Sequence, residues 1–376
     1  MKKRTLLSVV QCILAVTLLA GCRSDNIAVT DSVSAEATDI KNEQTQDETQ
    51  NKEQETQGKS EDTTVYYTNP LTGENTSLND ILFDRPVAVV LKNDRTGAPQ
   101  LGIARADIVY EASVEGGMTR LLALYADYAQ ISDIGPIIDS RAYFYEFAEF
   151  HDAVFVQAGT TAGGKAVQKE KNTDCIDAVA GMAELTFRRD EALASERDEL
   201  SNIITSGTAL KERIARDSIR QKNNNKTSLT VNFVKMGEKN QLDGNVCMTV
   251  TVPYSSSQQP YFVYSTVTGK YTRYQYGEKH LDNDGTELKY TNILILSTDY
   301  SLINESSGEM KSEFIGSGSG YYVTDGKYIP IVWKRDPEQT EITYCLPSGA
   351  ELELNRGKTF VCAVPNTRFR DVKFEQ

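Results

Sequence analysis

A long stretch without aromatic residues limits where this chain can fold. Residues 23–64 consist mainly of Thr, Gln, Glu, Asn, Ser and Asp, and they carry eleven acidic and four basic side chains. Such a segment buries too little apolar surface to offset the entropy that is lost on ordering. We therefore predict a disordered acidic tether over residues 22–64 and a folded body that begins near Val65.

The N-terminus has the pattern of an export signal. Residues 2–4 are basic and precede a mainly apolar run over residues 6–20, which is shorter than a full membrane span. The run ends in LAGC at residues 19–22, and this ending resembles the bacterial lipobox. By that resemblance residues 1–21 are a signal peptide, and Cys22 becomes the acylated first residue of the mature protein. The alternative is an ordinary secretory signal with a coincidental cysteine.

The rest of the sequence contains no other candidate for a membrane anchor. No further stretch is long and apolar enough to span a bilayer, whereas two acyl chains of the palmitate type give stable attachment. We therefore expect a lipid-anchored protein on the extracytoplasmic face of the cell membrane.

Charge and composition exclude several functions. The net charge is −13 and no basic stripe is present, so nucleic acid is an improbable partner, because binding it requires many phosphate contacts. Two histidines cannot form a three-histidine zinc site, and no Gly-x-Ser-x-Gly or His-Glu-x-x-His motif occurs. The sequence predicts no cofactor and no metal site.

The first half of the body has mixed secondary-structure patterns. Residues 85–93 form a strand-like run, and two more such runs, 106–115 and 118–125, flank Gly116-Gly117 in the pattern of a β-hairpin with a two-residue turn. Residues 139–149 have helical spacing, 153–156 resemble a short buried strand, and 190–220 have a mainly helical pattern. These patterns predict a mixed α/β first domain over residues 65–221.

The second half has β patterns. The chain becomes polar around residues 221–226, where we place a domain boundary, and strand-like runs with turn residues between them continue to residue 362. Asp325-Gly326 is a strong hairpin signal, whereas Gly316–Gly320 has the composition of a flexible turn. The predicted fold class is α+β, with a β-rich second domain over residues 227–376.

Several of these segments resemble a known family. The motifs are NPLTG at residues 69–73, ADIVYEASVEGGMTR at 106–120, IGP at 134–136, and GSGSG at 316–320 with the following hairpin. They are similar to the YerB-type bacterial lipoproteins, a family whose domains have no known function. The resemblance covers residues 66–366 and implies an α+β first domain and a β-rich second one, but no activity.

The chain departs from the family pattern at three polar positions. An arginine that usually follows the Gly-Pro pair is replaced by Ile138, and a histidine after the buried strand is replaced by Gln157. A later His-Asn pair is represented by Ser201-Asn202. If the family has a histidine-dependent reaction, this resemblance implies that the present chain lacks it.

Charged residues of the first half are the best candidates for a binding site. Because side chains alternate along a strand, Asp107, Glu111 and Glu115 share one face. Arginines follow nearby, and an arginine suits a carboxylate or phosphate. We predict that a polar ligand is bound by a set of side chains from this region: Glu111, Glu115, Arg120, Arg141 and Arg188, with Asp107 and Asp139 close by. If the three arginines converge, they would bind an anionic group. The alternatives are a solvated sheet face with ion pairs, and a general acid and base.

The histidines and cysteines are weaker candidates. His151 ends the predicted helix, where a cation is favourable, and His280 with Asp282 supplies only two possible metal ligands. Four cysteines remain after Cys12 and Cys22 are removed. They either form disulfides, with Cys345 and Cys362 as possible cross-strand neighbours, or stay as buried free thiols.

Three functions remain open at the level of sequence. The first is a non-catalytic lipoprotein that binds a cell-wall glycan, a peptide or another envelope protein. The many tyrosines of the second half suit such recognition, although they equally suit cross-strand pairs. The second is an envelope hydrolase or transferase that uses Glu111 or Glu115 with an arginine. The third is an assembly factor with an exposed apolar patch.

Overall fold

The structure is a computed structural model that describes residues 67–78, 81–179, 185–196, 201–224, 231–304, 309–337 and 341–376. The predicted signal peptide and acidic tether lie outside the described residues. Among the described residues, no helix has the length and apolar character needed to cross a membrane.

The first half alternates strands and helices. Its strands are β1 (Tyr67–Thr68), β2 (Asn75–Thr76), β3 (Val87–Asn93), β4 (Ile108–Ser113), β5 (Thr119–Tyr125), β6 (Val154–Gln157), β7 (Cys175–Asp177), β8 (Phe187–Arg189) and β9 (Ile203–Thr205). Its helices are α1 (Ala142–Glu149), α2 (Ala162–Lys171), α3 (Glu191–Glu196) and α4 (Gly207–Arg216). Short 3-10 turns occur at Ile103–Arg105 and Glu115–Gly117.

The second half is mostly β, as predicted. Its strands are β10 (Asn245–Val246), β11 (Thr249–Thr251), β12 (Tyr261–Ser265), β13 (Lys270–Gln275), β14 (Glu278–Lys279), β15 (Lys289–Tyr290), β16 (Asn292–Asn304), β17 (Glu309–Glu313), β18 (Gly316–Thr324), β19 (Lys327–Arg335), β20 (Thr343–Cys345), β21 (Thr359–Pro365) and β22 (Lys373–Glu375). The short helix α5 (Asn366–Phe369) follows β21.

Both halves contribute strands to one central sheet. In the described chain the strand order is β10-β19-β18-β16-β21-β4-β5-β3-β6-β7, with β17 added to β16 and β20 added to β19. The halves meet where β21 pairs in parallel with β4. A smaller sheet has the order β14-β13-β12-β11-β22, with β15 added to β13. The α+β fold class is confirmed, while the exact domain boundaries stay a prediction.

The central sheet is buried on both faces. Alternate residues of β3 enter different clusters: Val90 packs with Phe144 and Phe147 of α1, whereas Val89 packs with Leu210 of α4 and with the smaller sheet. A strand that is covered on both faces has an almost continuous apolar sequence, and β3 and β5 have one. Helices α1 and α2 pack together on the first of these faces.

Several local predictions need correction. Gly316–Gly320 belongs to β18 rather than to a flexible turn, because it pairs with β19. Glycine is required at position 318, where a Cβ atom would lie only 2.4 Å from Trp333 Nε1. The hairpin between β4 and β5 has a three-residue turn, since Val114 N donates to Met118 O at 2.8 Å. Its two glycines have φ angles of 73° and 72°, which L side chains rarely adopt.

The predicted helical region 190–220 also contains a strand, β9, between α3 and α4. The four cysteines Cys175, Cys247, Cys345 and Cys362 are free thiols. Cys345 and Cys362 are not cross-strand neighbours, because β20 pairs with β19 while β21 lies between β16 and β4.

Candidate functional site

Four charged side chains meet at one edge of the central sheet. Strands β3, β4, β6 and β7 run in the same direction, and their carboxyl ends therefore share this edge, where open α/β sheets usually bind ligands. Glu115 follows β4, Arg120 begins β5, and the extended segment with Asp139 and Arg141 leads into α1. We call these four residues the carboxyl-edge cluster.

Arg141 holds both carboxylates of the cluster. Its Nε atom donates to the Glu115 carboxylate at 2.8 and 2.9 Å, and its Nη2 atom lies 2.5 Å from Glu115 Oε2. Its Nη1 atom donates to Asp139 Oδ2. A planar guanidinium matches a carboxylate with two parallel hydrogen bonds, so this arrangement fixes Arg141 and Glu115 firmly.

The carboxylates of the cluster remain ionised. Burial works to raise the pKa of Glu115, but the hydrogen bond and the charge of Arg141 outweigh it, and the pKa is lowered. The pKa of Asp139 is also lowered, because the charges and hydrogen bonds of Arg141 and Arg120 exceed the effect of burial. Neither group is therefore suited to donate a proton near neutral pH.

Arg120 is buried but poorly bonded. Only 6% of the residue is exposed, yet its Nη2 atom lies 3.3 Å from Asp139 Oδ1 and its Nη1 atom 3.4 Å from Thr119 O. Within the part of the chain that the structure describes, its Nε atom has no hydrogen-bond partner. Both measured bonds are longer than the usual N–H···O distance, so this buried cation keeps unused donor capacity.

Arg85, at the opposite edge of the sheet, is as buried as Arg120 but more completely hydrogen-bonded. It is also 6% exposed, and it precedes the amino end of β3. Its Nε atom donates to Asp152 O at 2.7 Å, its Nη1 atom to Asp174 Oδ2 at 2.5 Å, and its Nη2 atom to Ala153 O at 3.3 Å. Equal burial with more complete bonding shows that the under-bonded state of Arg120 is a local property of the carboxyl edge.

The second half of the chain reaches this edge through β17. Met310 N donates to Glu115 Oε1 at 3.3 Å. The Glu309 carboxylate packs against the first turn of α2, where a Cβ atom at Gly163 would lie 2.7 Å from Glu309 Oε1. The cluster therefore lies where both halves of the chain contribute residues.

The three positions that depart from the family pattern are neutral. Ile138 is buried, and Gln157 is held by Ser140 Oγ at 2.5 Å and by Tyr145 OH at 3.0 Å. Ser201 Oγ accepts from Lys92 Nζ at 2.7 Å, and Asn202 Oδ1 accepts from Arg189 Nη1 at 2.7 Å.

Glu111 lies away from the carboxyl-edge cluster, in a buried network. Glu111 and Arg273 are both 0% exposed, and their Oε2 and Nη2 atoms are 2.8 Å apart. Glu111 Oε1 also accepts from Thr119 at 2.8 Å, from Asn93 at 3.0 Å and from Gln258 at 3.3 Å. The alternative of a solvated sheet face is therefore wrong for Glu111, because the smaller sheet covers it.

The buried network continues from Arg273 to His280. Arg273 Nη1 donates to His280 Nδ1, so the ring proton lies on Nε2, which donates to Gln100 Oε1 at 2.6 Å. Burial, followed by the charge of Arg273, lowers the pKa of His280 well below its usual range. The sequence did not predict this network because Arg273 stands far from Glu111 in the chain.

Two other candidates of the sequence lie elsewhere. Arg188 is largely exposed and pairs with Asp133 and with Asp190, at 3.3 Å for the second pair. Asp107 precedes β4 at the amino edge, where it accepts from Ala126 N at 2.8 Å and from Asn69 Nδ2 at 3.0 Å. Burial raises the pKa of Asp107 to about 6.

The structure contradicts the expected role of His151 and gives no support to a metal site at His280 and Asp282. His151 is not the expected cation at a helix end, because burial lowers its pKa to about 3, and its Nε2 atom bonds Tyr110 OH at 2.7 Å. The Asp282 carboxylate accepts from the backbone of Gly102 and Ala104 rather than facing a metal. In the described residues, no group of three or more His, Cys, Asp or Glu side chains is placed to hold a metal ion.

Comparisons with known proteins define the class. Residues 71–220 match the model described as the N-terminal domain of DUF3048, a protein of unknown function, and residues 250–361 match its C-terminal domain. The chain therefore belongs to this family, which confirms the resemblance to the YerB type.

One relative matches this chain both in sequence and in three-dimensional structure. The chain is 26% identical over 309 residues to the "Putative lipoprotein YerB" of Bacillus subtilis (strain 168), which covers 81% of this chain and 88% of the relative. The crystal structure of YerB from Bacillus subtilis matches with a TM-score of 0.72 at 25% identity and covers 82% of this chain and 100% of that chain.

Proposed function

We propose that this protein is a lipoprotein, anchored through Cys22 on the extracytoplasmic face of the membrane, that binds an anionic envelope ligand at the carboxyl-edge cluster. The anchor is supported by the LAGC ending of the apolar N-terminal run and by the name of the Bacillus relative. The location of the binding site is supported by the geometry of the sheet edge, where ligands of open α/β sheets usually bind.

The state of Arg120 carries the proposal. A buried guanidinium with an unpartnered Nε atom and two long hydrogen bonds is costly unless another acceptor completes its bonding. A phosphate or carboxylate of a ligand supplies such acceptors and matches the fork of an arginine. Arg141 shares the Asp139 carboxylate with Arg120 and is also paired with Glu115, so the unused donors of Arg120 are the ones open to an incoming anion.

The hydrolase hypothesis finds less support. Its two carboxylates are already engaged: Glu111 in the buried network and Glu115 with Arg141. A general acid needs a pKa near the working pH, whereas the pKa of Glu115 is lowered. Binding without chemistry is therefore the function that this geometry supports best.

Binding to cell wall tests the proposal. Full-length protein in detergent is mixed with isolated bacterial cell wall, and with wall from which the anionic polymers have been stripped. We expect binding to the first material and loss of binding to the second, with weakening as salt rises. Arg120→Gln removes the charge but keeps hydrogen-bonding groups, and it should weaken binding about tenfold or more, which corresponds to roughly 1.4 kcal/mol.

Arg85→Gln is the matched control, because Arg85 is equally buried at the opposite edge. It should lower stability but leave the affinity of the folded protein unchanged. Unchanged binding by a folded Arg120→Gln, Arg141→Gln double variant contradicts the proposal and leaves these residues as structural ion pairs.

A further inference from the structure

A groove crosses the outer side of β19 in the second half of the chain. One wall is the segment 234–243, which precedes β10, and the other is the turn 346–353, which follows β20. Its volume is about 700 Å³, within the range of about 300–1,000 Å³ that is usual for ligand sites. We call it the β19 groove, and none of the residues that line it belongs to the carboxyl-edge cluster.

Hydrogen bonds hold both walls of the β19 groove in place. Asn240 N donates to Asn355 Oδ1 at 2.7 Å, and Asn240 Nδ2 donates to Glu353 O at 2.6 Å. In the turn of the other wall, Leu346 N donates to Ala350 O at 2.8 Å. Because both walls are fixed in this way, a ligand that enters the groove has little chain to order, which lowers the cost of binding.

The middle of β19 lacks a neighbouring strand on the side of the groove. Strands β10 and β20 pair with β19 on either side of residues 329–331, and within the described residues no strand pairs with these three on that side. Gly326 O accepts from Cys247 N on the β10 side at 2.7 Å. Backbone groups of an antiparallel strand alternate in direction, so the Pro330 carbonyl faces the same side. Since proline has no N–H, this stretch offers the groove an acceptor without a donor.

The floor of the β19 groove is apolar. Five aliphatic residues line it: Val234, Leu242, Ile329, Leu346 and Leu352. Leu242 and Leu352 belong to the same buried cluster as Phe144 and Phe147 of α1, so the floor is continuous with the core. A floor of this kind suits the apolar side chains of a ligand.

The rim of the β19 groove is acidic. Its exposed charged residues are four carboxylates and one lysine: Glu238, Asp243, Glu351, Glu353 and Lys239. Over the ranges that the structure describes, none of the four carboxylates forms an ion pair, whereas the carboxylate of Glu287 pairs with two lysines. The rim therefore keeps negative charge that a cationic ligand can neutralise.

The arrangement of the carboxylates favours an extended cation over a metal ion. They line the two walls of the groove, and among the described residues no three acidic, histidine or cysteine side chains are gathered to hold one ion. The chain's own segment 23–64 carries eleven acidic and four basic side chains, so charge opposes its entry into the groove. The occupant that fits the charge is another molecule with basic groups.

We propose that the β19 groove binds an extended peptide segment in which apolar and basic residues alternate. Side chains of an extended chain point to opposite faces, so the apolar set meets the aliphatic floor while the basic set stays beside the rim carboxylates. The Pro330 carbonyl accepts a backbone N–H of the peptide, as in the recognition of extended peptides at sheet edges.

Three synthetic peptides test the chemistry of the groove. The probe is acetyl-Leu-Lys-Leu-Lys-Leu amide, and its two controls replace either the lysines by glutamine or the leucines by serine. Full-length protein in a neutral detergent is titrated with each peptide by calorimetry. We expect a Kd of about 0.1 mM or tighter for the probe and about tenfold weaker binding of each control. Added salt should weaken binding of the probe but not of the glutamine peptide.

Either control peptide can overturn the proposal. Equal binding of the glutamine peptide shows that the rim charges contribute nothing, and equal binding of the serine peptide shows attraction by charge alone. Absence of binding by the probe overturns the proposal as well.

Protein variants locate the bound peptide, which is necessary because the whole chain has a net charge of −13. The double variant Asp243→Asn, Glu351→Gln should weaken binding of the probe about tenfold and leave the glutamine peptide unaffected. The matched control is Glu212→Gln, Glu375→Gln, which removes the same charge from exposed residues outside the groove and should bind the probe normally. Equal affinities of the two double variants overturn the proposal.

Leu346→Ala reduces the apolar floor and should weaken binding of the probe and of the glutamine peptide alike, by about fivefold. If this variant fails to fold, the charge variants decide the outcome, because exposed substitutions change stability little. Arg120→Gln should bind the probe normally, and the variant Asp243→Asn, Glu351→Gln should still bind cell wall. The failure of either site is therefore distinguishable from the failure of the other.

Discussion

The pair Glu111–Arg273 gives the sharpest prediction about stability. Both side chains are fully buried, and their closest charged atoms are 2.8 Å apart. Glu111→Gln keeps the shape of the side chain but leaves the Arg273 cation without its counter-ion in a buried environment. Removing one partner of a buried pair costs about 3–5 kcal/mol, a large part of the roughly 5–15 kcal/mol that stabilises a typical domain.

The reverse change should cost a similar amount at neutral pH. Arg273→Met leaves the Glu111 carboxylate buried with only its neutral donors, among them Thr119 and Asn93. The double variant Glu111→Gln, Arg273→Met contains neither charge. We therefore expect its loss of stability to fall well below the sum of the two single losses, with a coupling of about 0.5–3 kcal/mol.

Urea unfolding of the four proteins at pH 7 measures this coupling. The free energy of unfolding is extrapolated to zero urea, and an unchanged slope shows that the same surface is exposed in each variant. Lys311→Met serves as the control, since Lys311 and its partner Glu313 are about half exposed, and its loss should stay within about 0.5 kcal/mol. Additive losses, or single losses below about 1 kcal/mol, would refute the argument that the two charges depend on each other.

Three further predictions concern other parts of the molecule. Because burial raises the pKa of Asp107 to about 6, its neutral form favours the folded state, so its contribution to the free energy of unfolding should decline by about 3 kcal/mol as pH rises from about 4 to above 6. Unfolding curves of Asp107→Asn across that range should lack this decline, and an identical pH profile would contradict it. Gly318→Val should destabilise the protein by about 1–3 kcal/mol in the same assay, because its side chain would overlap the ring of Trp333. Cys22→Ala should leave an unprocessed precursor or release the protein from membranes on cell fractionation, and normal processing with normal attachment would exclude the lipid anchor.

The sequence predicted the features that depend on neighbouring residues, such as the turn of a hairpin. The Gly116-Gly117 pair indicated a hairpin, and both glycines have positive φ angles in its turn. The turn is one residue longer than predicted, because the composition of a turn does not fix the last hydrogen bond of the ladder. Gly318 was misinterpreted for a different reason: its small size serves the Trp333 ring on a neighbouring strand, and sequence alone does not show that contact.

The residues of the candidate site also fall into those that the sequence predicted correctly and those that it did not. Arg120 and Arg141 were grouped as candidates from neighbouring motifs, and the structure brings both to Asp139. Arg188 was grouped with them by charge alone, but its strand carries it to Asp133. The partner of Glu111 is Arg273, and no periodic pattern connects residues so far apart. Contacts between residues far apart in the chain are therefore the part of the site that the sequence did not predict.

The pairing of β21 with β4 has a consequence for the order in which the molecule can be completed. Strand β4 (Ile108–Ser113) obtains its second neighbour from Thr359–Pro365, which lies far along the sequence. A protein synthesised from its N-terminus therefore exposes one side of β4 as an unpaired edge until Thr359 and the residues after it have been made. Unpaired edges invite contacts with other chains. A stop codon shortly before residue 359 would leave both halves of the sheet open, although most of each family domain would still be present.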